Sequence, residues 1–370
     1  MRVLVDAGPL FGPQSGVGSF TSGLLGALAR MPDIEAAVYA TTIRGRRALE
    51  ASLPPSVRLR NLPIPGRLVT QAWRHLDRPP IEWIAGSCDI VHGTNYVVPP
   101  AKAPRVMTVH DLSPVRYPEM TDAIVRTYPE RIRHALRSGA YIHTHSAFVA
   151  EEIVEYFGVE RHRLAVVASG VPALAAEAGP AVVEQVRAKG SFVLAIGTIE
   201  PRKDYPSLLR AFEEVASQRR DTRLVIVGRS AQGSEVFAEA VARSPFRDRV
   251  DLLGYASSEL AGELLRRARV LAYPSLYEGF GYPPLQAMSA GVPVVTTDAG
   301  AIPGTVGDAA SVVPVGDAGA MAAAIDRLLA DDAARDALIE RGRAKVGEYS
   351  WERCAREMTD WYRQIEAGRR

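Results

Sequence analysis

The sequence predicts an α/β protein with two doubly wound domains, and three observations carry that expectation. At 370 residues the chain is longer than one hydrophobic core usually serves. Apolar strand-like runs alternate with amphipathic helix-like stretches, the pattern of a parallel sheet joined by crossover helices. Ala173 to Pro180, rich in Ala, Gly and Pro, reads as the linker between the halves.

Bulk properties narrow the field. The chain is 47% apolar and 23% charged with a formal net charge of +2, ordinary for a globular protein. Charge so near neutrality gives no reason to invoke nucleic acid. No run approaches the eighteen or so apolar residues that a membrane span needs. Met1 to Asp6 reads as a strand rather than a signal peptide, so a cytoplasmic protein is expected. Two cysteines, Cys88 and Cys354, make neither a disulfide framework nor a metal cluster.

In the first half, Arg2–Asp6 is the opening strand, and a glycine-rich loop, Gly8 to Gly18, leads to a helix ending near Arg30. Doubly wound folds bind ligands at that loop. The spacing of Gly12, Gly16 and Gly18 is not G-x-G-x-x-G, and no acidic residue ends the second strand, Ala36–Ala40. A dehydrogenase is therefore disfavoured. Residues 58–78 are basic and contain Trp73. An amphipathic helix over 67–76 is read there as solvated, with attraction to an anionic membrane surface or acceptor as the alternative. Strands follow at Asp89–Thr94 and Arg105–Val109, the latter ending in His110-Asp111. Polar side chains just past the carboxyl end of a parallel strand project into the ligand crevice. That marks His110 as a site candidate, with Asp111 orienting it or its loop. A helix is expected over Thr121–Arg137, then a strand over Tyr141–Ser146 feeding a helix capped by Ser146. His143 and His145 share a strand face, but no third ligand lies nearby, and no metal is expected.

In the second half, the strand Phe192–Gly197 runs into Thr198-Ile199-Glu200-Pro201-Arg202-Lys203-Asp204 and a helix to about Ala216. Two cations at a helix start oppose its dipole unless an anion sits between them, which is the physical case for a diphosphate site. Strands at Leu224–Gly228 and Val250–Tyr255 come next. The segment Val270 to Gln286 then reads as strand, tight turn and helix, the helix starting at Pro283 or Pro284 and ending before Gly291. Gly279 and Gly281 would let the backbone approach a ligand, and the helix N-terminus would seat an anion. Glu278 stands at the mouth of that turn. Two more helices precede a final one over Trp351–Ala367.

The stretch Glu278-Gly279-Phe280-Gly281-Tyr282-Pro283-Pro284-Leu285-Gln286-Ala287-Met288 resembles the signature of the retaining glycosyltransferases of family 4. Their pattern sets a second Glu where this chain has Gln286. Ser15-Gly16-Val17-Gly18, Thr108-Val109-His110-Asp111-Leu112, Glu200-Pro201-Arg202-Lys203 and Thr296 to Gly304, with Gly304 replacing a Glu, are similar to further elements of that family in the same order. The resemblance implies the GT-B fold, two Rossmann-like doubly wound domains facing each other across a cleft. Residues 1–172 would bind the acceptor and 180–350 the nucleotide sugar, with the helix 351–370 packing back on the first domain. It implies a hexose moved with retention to a hydroxyl of a glycan, lipid-linked or small-molecule acceptor, and GDP-mannose is the favoured donor. His110 and Glu278 would be catalytic, both holding the transferred sugar. Arg202, Lys203, Gly16, Gly279, Phe280 and Gly281 would bind the donor diphosphate. Gly254, Tyr255 and Gln286 would bind the nucleoside.

With no Asp-x-Asp motif, a metal-independent, same-face reaction without cofactor is expected, in the cytoplasm and with peripheral contact at the inner membrane face as an option. A phosphorylase would need a cofactor lysine near the C-terminus that is not found, and an epimerase would need clustered acidic and His residues. A non-catalytic subunit that only binds a sugar nucleotide remains the alternative, with Gln286 and Gly304 as its support.

Overall fold

The computed structural model describes residues 1–11, 15–42, 45–64, 69, 72–73, 78–176, 178–231 and 233–368. The amphipathic helix expected over 67–76 lies outside these, apart from Val69, Ala72 and Trp73. The chain forms two compact units, Met1–Pro172 with Tyr349–Arg370, and Ala173–Glu348.

The described strands of the first unit are β1 (Arg2–Asp6), β2 (Glu35–Thr41), β3 (Arg58–Leu62), β4 (Ile90–Gly93), β5 (Arg105–Thr108), β6 (Tyr141–Thr144) and β7 (Leu164–Val166). They build one sheet in the order β3-β2-β1-β4-β5-β6-β7, all pairs parallel. Helices cover both faces of such a sheet, so its central strands read as unbroken apolar runs. Val3, Leu4 and Val5 of β1 are accordingly no more than 1% exposed. The order reverses between β1 and β4, which makes the carboxyl ends of those strands the switch-point crevice.

The second unit repeats the plan. Its strands are β8 (Ser191–Ile196), β9 (Thr222–Val227), β10 (Val250–Leu252), β11 (Val270–Tyr273), β12 (Val294–Thr297) and β13 (Ser311–Val313), in the order β10-β9-β8-β11-β12-β13. All are parallel, and the order reverses between β8 and β11. The α/β fold class expected from alternation is thus the one observed.

Boundaries differ where local chemistry intervenes. The helix expected over Thr121–Arg137 forms only over Tyr128–Arg137. Upstream, Asp122 Oδ1 accepts from the backbone N–H groups of Ile124 and Val125, a local turn that competes with helix. Pro129 then sits in the first turn, where its missing N–H costs nothing. A short helix, Pro180–Arg187, begins at the end of the stretch read as a linker.

The closing helix, Trp351–Ala367, is capped by Ser350, whose hydroxyl accepts from Arg353 N. It buries Cys354, Ala355, Met358, Thr359, Tyr362 and Ile365, one stripe at helical spacing. Trp351 at its first position fills a notch floored by two glycines. A Cβ on Gly23 would come within 2.2 Å of the indole, and one on Gly170 within 2.6 Å. The notch exists because both residues lack side chains. Gly23→Ala should therefore overpack this contact and lower stability by about 1–3 kcal/mol, read as a lower urea midpoint. An unchanged midpoint would mean that the helix docks without the indole.

Candidate active site

In the second unit the switch point gathers the residues that follow β8 and β11. After β8, Pro201–Lys203 form a single 3-10 turn, so Arg202 and Lys203 precede the helix Tyr205–Gln218 rather than open it. Asp204 links the two with φ +44°, a left-handed conformation that Asp and Asn tolerate, and its side chain accepts from Ser207 N. After β11 the turn carries Glu278, and Gly281, at φ +111°, caps the helix Tyr282–Ser289. A Cβ at Gly281 would also lie 2.6 Å from Ile302 Cδ1. The left-handed backbone is what calls for glycine there. Gly291, at φ +73°, ends the helix, and the Val292 N–H closes back on the Ala287 carbonyl at 2.9 Å in a Schellman-type cap.

The two loops meet through charge. Glu278, 8% exposed, binds Lys203 Nζ through Oε1, and the same oxygen accepts from the Tyr273 hydroxyl at 2.8 Å. Its Oε2 lies 3.3 Å from Arg202 Nη1. Arg202 also donates to the Tyr277 carbonyl at 2.8 Å and to Glu200 Oε1 at 2.6 Å. Lys203 donates to Tyr273 Oη at 2.8 Å. Burial alone would push the Glu278 carboxyl up, but Lys203 and Arg202 beside it outweigh that and hold it down at about 2. Burial, with Arg202 as a like-charged neighbour, lowers the pKa of Lys203, against the pull of Glu278. The loop after β12 buttresses the carboxylate. Gly300, at φ +56°, packs so closely that a Cβ would lie 2.5 Å from the Glu278 carbonyl, which accepts from Ala301 N at 2.9 Å.

The remaining candidates of this unit lie on the same turn, on the helix after it and in the loop after β10. Prolines 283 and 284 occupy the second and third positions of their helix, so two of the four N–H groups expected to seat an anion do not exist. Phe280 is buried and edges onto Tyr282, Gly279 is not in the left-handed region, and Gln286 is half-buried in the helix's second turn. Gly254, at φ +65°, follows β10 and gives its carbonyl to Gly228 N at 2.9 Å, which leaves Tyr255 55% exposed.

In the first unit, Ser15 caps the helix Gly16–Leu28 by accepting from Gly18 N, placing Gly16 in the first turn past β1. His110, just beyond β5, has both ring nitrogens engaged: Nε2 with the Thr94 carbonyl at 2.8 Å and Nδ1 with His145 Nε2 at 2.9 Å. Thr94 Oγ1 in turn meets Thr21 Oγ1 of the Gly16 helix at 3.0 Å. Asp111 accepts from the backbone N and hydroxyl of Ser113 and so orients the loop rather than the imidazole. Behind His110 lies a network that sequence reading missed, since its members are scattered. Tyr362 Oη meets His92 Nδ1 at 2.6 Å, His92 Nε2 meets Thr108 Oγ1 at 2.7 Å, and Thr108 Oγ1 meets His143 Nδ1 at 3.0 Å. His143 Nε2 ends on the Val167 carbonyl at 3.0 Å.

A carbonyl only accepts, which assigns every proton in sequence. His143 donates from Nε2, Thr108 donates to its Nδ1, His92 donates to Thr108, and Tyr362 donates to His92. By the same rule His110 donates to Thr94 and accepts from His145. The pair His143 and His145 is thus absorbed in neutral hydrogen bonds. Burial holds all four imidazoles below their ordinary range, His143 at about 3. Asp6, at the end of β1, goes the other way. Burial lifts its carboxyl to about 6, against the bond that it accepts from Gly8 N.

Comparison with known proteins settles the family. The profile described as Glycosyl transferases group 1 matches residues 180–345, and that of Glycosyltransferase Family 4 matches residues 14–173. The chain is 34% identical over 283 residues to the O-antigen chain mannosyltransferase B of Escherichia coli, covering 75% of this chain and 74% of that protein. The chain is a GT-B glycosyltransferase of this family. Two solved structures agree in fold. Sucrose-phosphate synthase of Thermosynechococcus elongatus superposes with a TM-score of 0.78 at 20% identity over 100% of both chains. The HepE protein of Anabaena, solved with UDP and glucose, gives 0.72 at 15% identity over 97% of this chain and 98% of that one.

In this glycosyltransferase the two units should respond differently to acid. His92, His143 and His145 are at most 4% exposed and neutral when folded, yet take up protons near 6.5 when unfolded. Below that pH the unfolded state binds more protons, so stability falls with acid by up to about 1.4 kcal/mol per pH unit for each histidine. Asp6, raised from 3.8, opposes this with one proton between those values. Glu278, with its folded value lowered, loses its contribution only below its unfolded value of 4.5. All four tryptophans, Trp73, Trp83, Trp351 and Trp361, belong to the first unit, so tryptophan fluorescence reports it alone. Its urea midpoint should drop steeply from pH 7 to pH 5. A flat midpoint would show that the histidines protonate without cost.

Proposed function

We propose that this glycosyltransferase moves mannose from GDP-mannose to a glycan hydroxyl, with retention and without a metal. The observation that carries the reading is the buried Lys203 beside Arg202 at the β8–β11 switch point. Lys203 is depressed by burial and by its cationic neighbour, so a diphosphate placed against it would restore the favoured charge state. Preorganised cations aimed at the leaving group stabilise the charge that develops as the sugar departs, the work that a divalent ion does elsewhere. The donor half of the reading therefore assigns the nucleotide sugar to Ala173–Glu348 and the acceptor to the first unit.

In the same-face reaction, the bond between the sugar's anomeric carbon and the diphosphate oxygen breaks while the acceptor oxygen bonds to that carbon on the same side. The acceptor's proton passes to the departing phosphate oxygen. Glu278 is held ionised by Lys203 and Arg202 and serves as a hydrogen-bond acceptor for sugar hydroxyls. His110 reaches a sugar hydroxyl by exchanging its bond to the Thr94 carbonyl, neutral throughout. Gly279, Phe280 and Gly281 shape the turn over the diphosphate. Gly254, Tyr255 and Gln286 take the nucleoside. Mannose is favoured by the Escherichia coli relative, whose name is that of a mannosyltransferase, and by the Glu200-Pro201-Arg202-Lys203 element. No described helix is long and apolar enough to cross a membrane.

Thermal melting against GDP-, UDP- and ADP-sugars, with and without EDTA, tests the donor. Saturation at a hundredfold over Kd stabilises by about 2.7 kcal/mol, and GDP-mannose should do so whether or not EDTA is present. A shift only with another base, or one abolished by EDTA, overturns the donor or the metal-free step. Glu278→Ala and Lys203→Ala should each cut turnover by about a hundredfold or more, and both proteins are checked for cooperative melting. His110→Ala should lower kcat while leaving GDP affinity within about twofold. Turnover near wild type in the first two variants would remove them from the site.

A further inference from the structure

The first unit holds a carboxylate that the reaction above leaves idle. Asp6 ends β1, which lies between β2 and β4 at the point where the strand order reverses. Its Oδ1 accepts from Gly8 N at 2.8 Å, a turn that shapes the chain as it leaves the strand. Its Oδ2 meets no donor and no cation among the described residues. The side chain is only partly exposed, and burial lifts its carboxyl to about 6, so at neutral pH it stays ionised without a partner. A charge held in that way is costly. An Asn amide oxygen would make the same turn at less cost, so the turn alone does not account for an acid here.

The neighbours of Asp6 narrow what it can meet. Thr94 Oγ1 donates to the Asp6 carbonyl at 3.3 Å, and the Thr94 carbonyl accepts from His110 Nε2 at 2.8 Å. Asp6 and His110 are thus tied through one residue, at the carboxyl ends of β1 and β5. On the β2 side stands Tyr39, paired in register with Asp6 and kept neutral by burial and by the Asp6 charge. The carboxylate repels an anion, and a hydrocarbon would leave its charge bare. Among the described residues no three His, Cys, Asp or Glu are grouped to hold a metal ion. An oxygen with free lone pairs selects a hydrogen-bond donor, and a sugar hydroxyl is the donor that fits. We propose that Asp6 is a specificity-determining residue of the acceptor site, accepting a hydrogen bond from a sugar hydroxyl next to the attacking one. The attacking hydroxyl is not its ligand, because the reaction above passes that proton to the departing phosphate. The inference rests on the assignment of the acceptor to the first unit. An acceptor lacking the hydroxyl leaves the carboxylate unpaired again, so discrimination against deoxy sugars is large.

Ligand-observed NMR titration of the full chain, with and without saturating GDP, tests it. The probes are the methyl α-glycosides of mannose, glucose and galactose, and their monodeoxy analogues. At least one parent glycoside should bind saturably, and one of its deoxy analogues should bind about tenfold more weakly or worse. Asp6→Asn keeps the turn and removes the charge. It should weaken the parent by about tenfold or more and bind that deoxy analogue as the wild type does. Its GDP affinity should stay within about twofold, as expected for an independent site. Its melting point should be no lower than that of the wild type, since an unpaired charge has left a buried position; an Asp6 that only held the fold would lower it. No saturable glycoside overturns the proposal, as do equal losses from Asp6→Asn for the parent and all its deoxy analogues. GDP binding without glycoside discrimination sinks Asp6 alone, whereas glycoside discrimination without GDP binding sinks the donor reading alone.

Discussion

A carboxylate that is almost wholly buried and still ionised governs the second unit. Taking Glu278 out of water favours its neutral form, and only the combined pull of Lys203 and Arg202 reverses that. The three residues come from loops 75 positions apart in sequence, so the cluster can form only where β8 and β11 lie side by side. Parallel pairing of Val270 and Leu271 with Val193 and Leu194 brings those strand ends together. Around them the chain has arranged what the ion cluster needs. Tyr273 supplies a hydroxyl to both Lys203 and Glu278, Gly300 lets a neighbouring loop close over the Glu278 backbone, and Leu276 N holds the Arg202 carbonyl at 2.8 Å. Removing one partner of such a buried pair costs more than the pair itself contributes, since the survivor keeps its desolvation and loses its compensation.

The first unit solves the opposite problem. Its crevice is lined with titratable rings and yet carries no buried charge among them. Two carbonyls, those of Thr94 and Val167, fix the direction of every proton in the imidazole network, and Phe20 fills the space between the rings, with centroids 4.6 Å from His145 and 5.7 Å from His110. Protonating His92, His110 or His143 would require a donor to turn where only another donor faces it. His110 is therefore held as a neutral imidazole of fixed tautomer, a hydrogen-bonding group rather than a proton store.

Much of this was legible in the sequence, and the reasons are local. Alternation of apolar runs gave the parallel sheets because both faces of each sheet are covered. Gly291 and Ser146 were readable because a left-handed helix end and a capping hydroxyl each demand particular residue types. The closing helix was readable from its stripe of buried positions. What was hidden is non-local. Nothing in the spacing of His92, Thr108, His143 and Tyr362 announces that three neighbouring strands and the closing helix bring them into one chain of hydrogen bonds. Pairing of Arg202 and Lys203 with Glu278 was equally invisible, and the cations first read as waiting for an anion already hold one. The helix past Gly281 carries two opposed signals in its first turn. Its prolines mark a helix start, but each also deletes a donor from the end where an anion would sit.

Two replacements acquire a physical meaning in this light. The family's acidic residues at the positions of Gln286 and Gly304 would add negative charge to the helix Tyr282–Ser289 and to the short helix Ile302–Val306. Here one is an amide, which still accepts a hydrogen bond, and the other is an exposed glycine where a side chain would meet open space. Neither change disturbs packing. Both lower the count of acids in a unit whose crevice already sets Glu200 and Glu278 against Arg202 and Lys203. With the cations so closely balanced, each acid withheld leaves the potential at the crevice more positive, and the range of that effect is the Debye length, about 8 Å at physiological salt. On the donor reading proposed above, an anionic ligand is repelled less by an amide than by the acid it replaces, so the exchange is compatible with that reading.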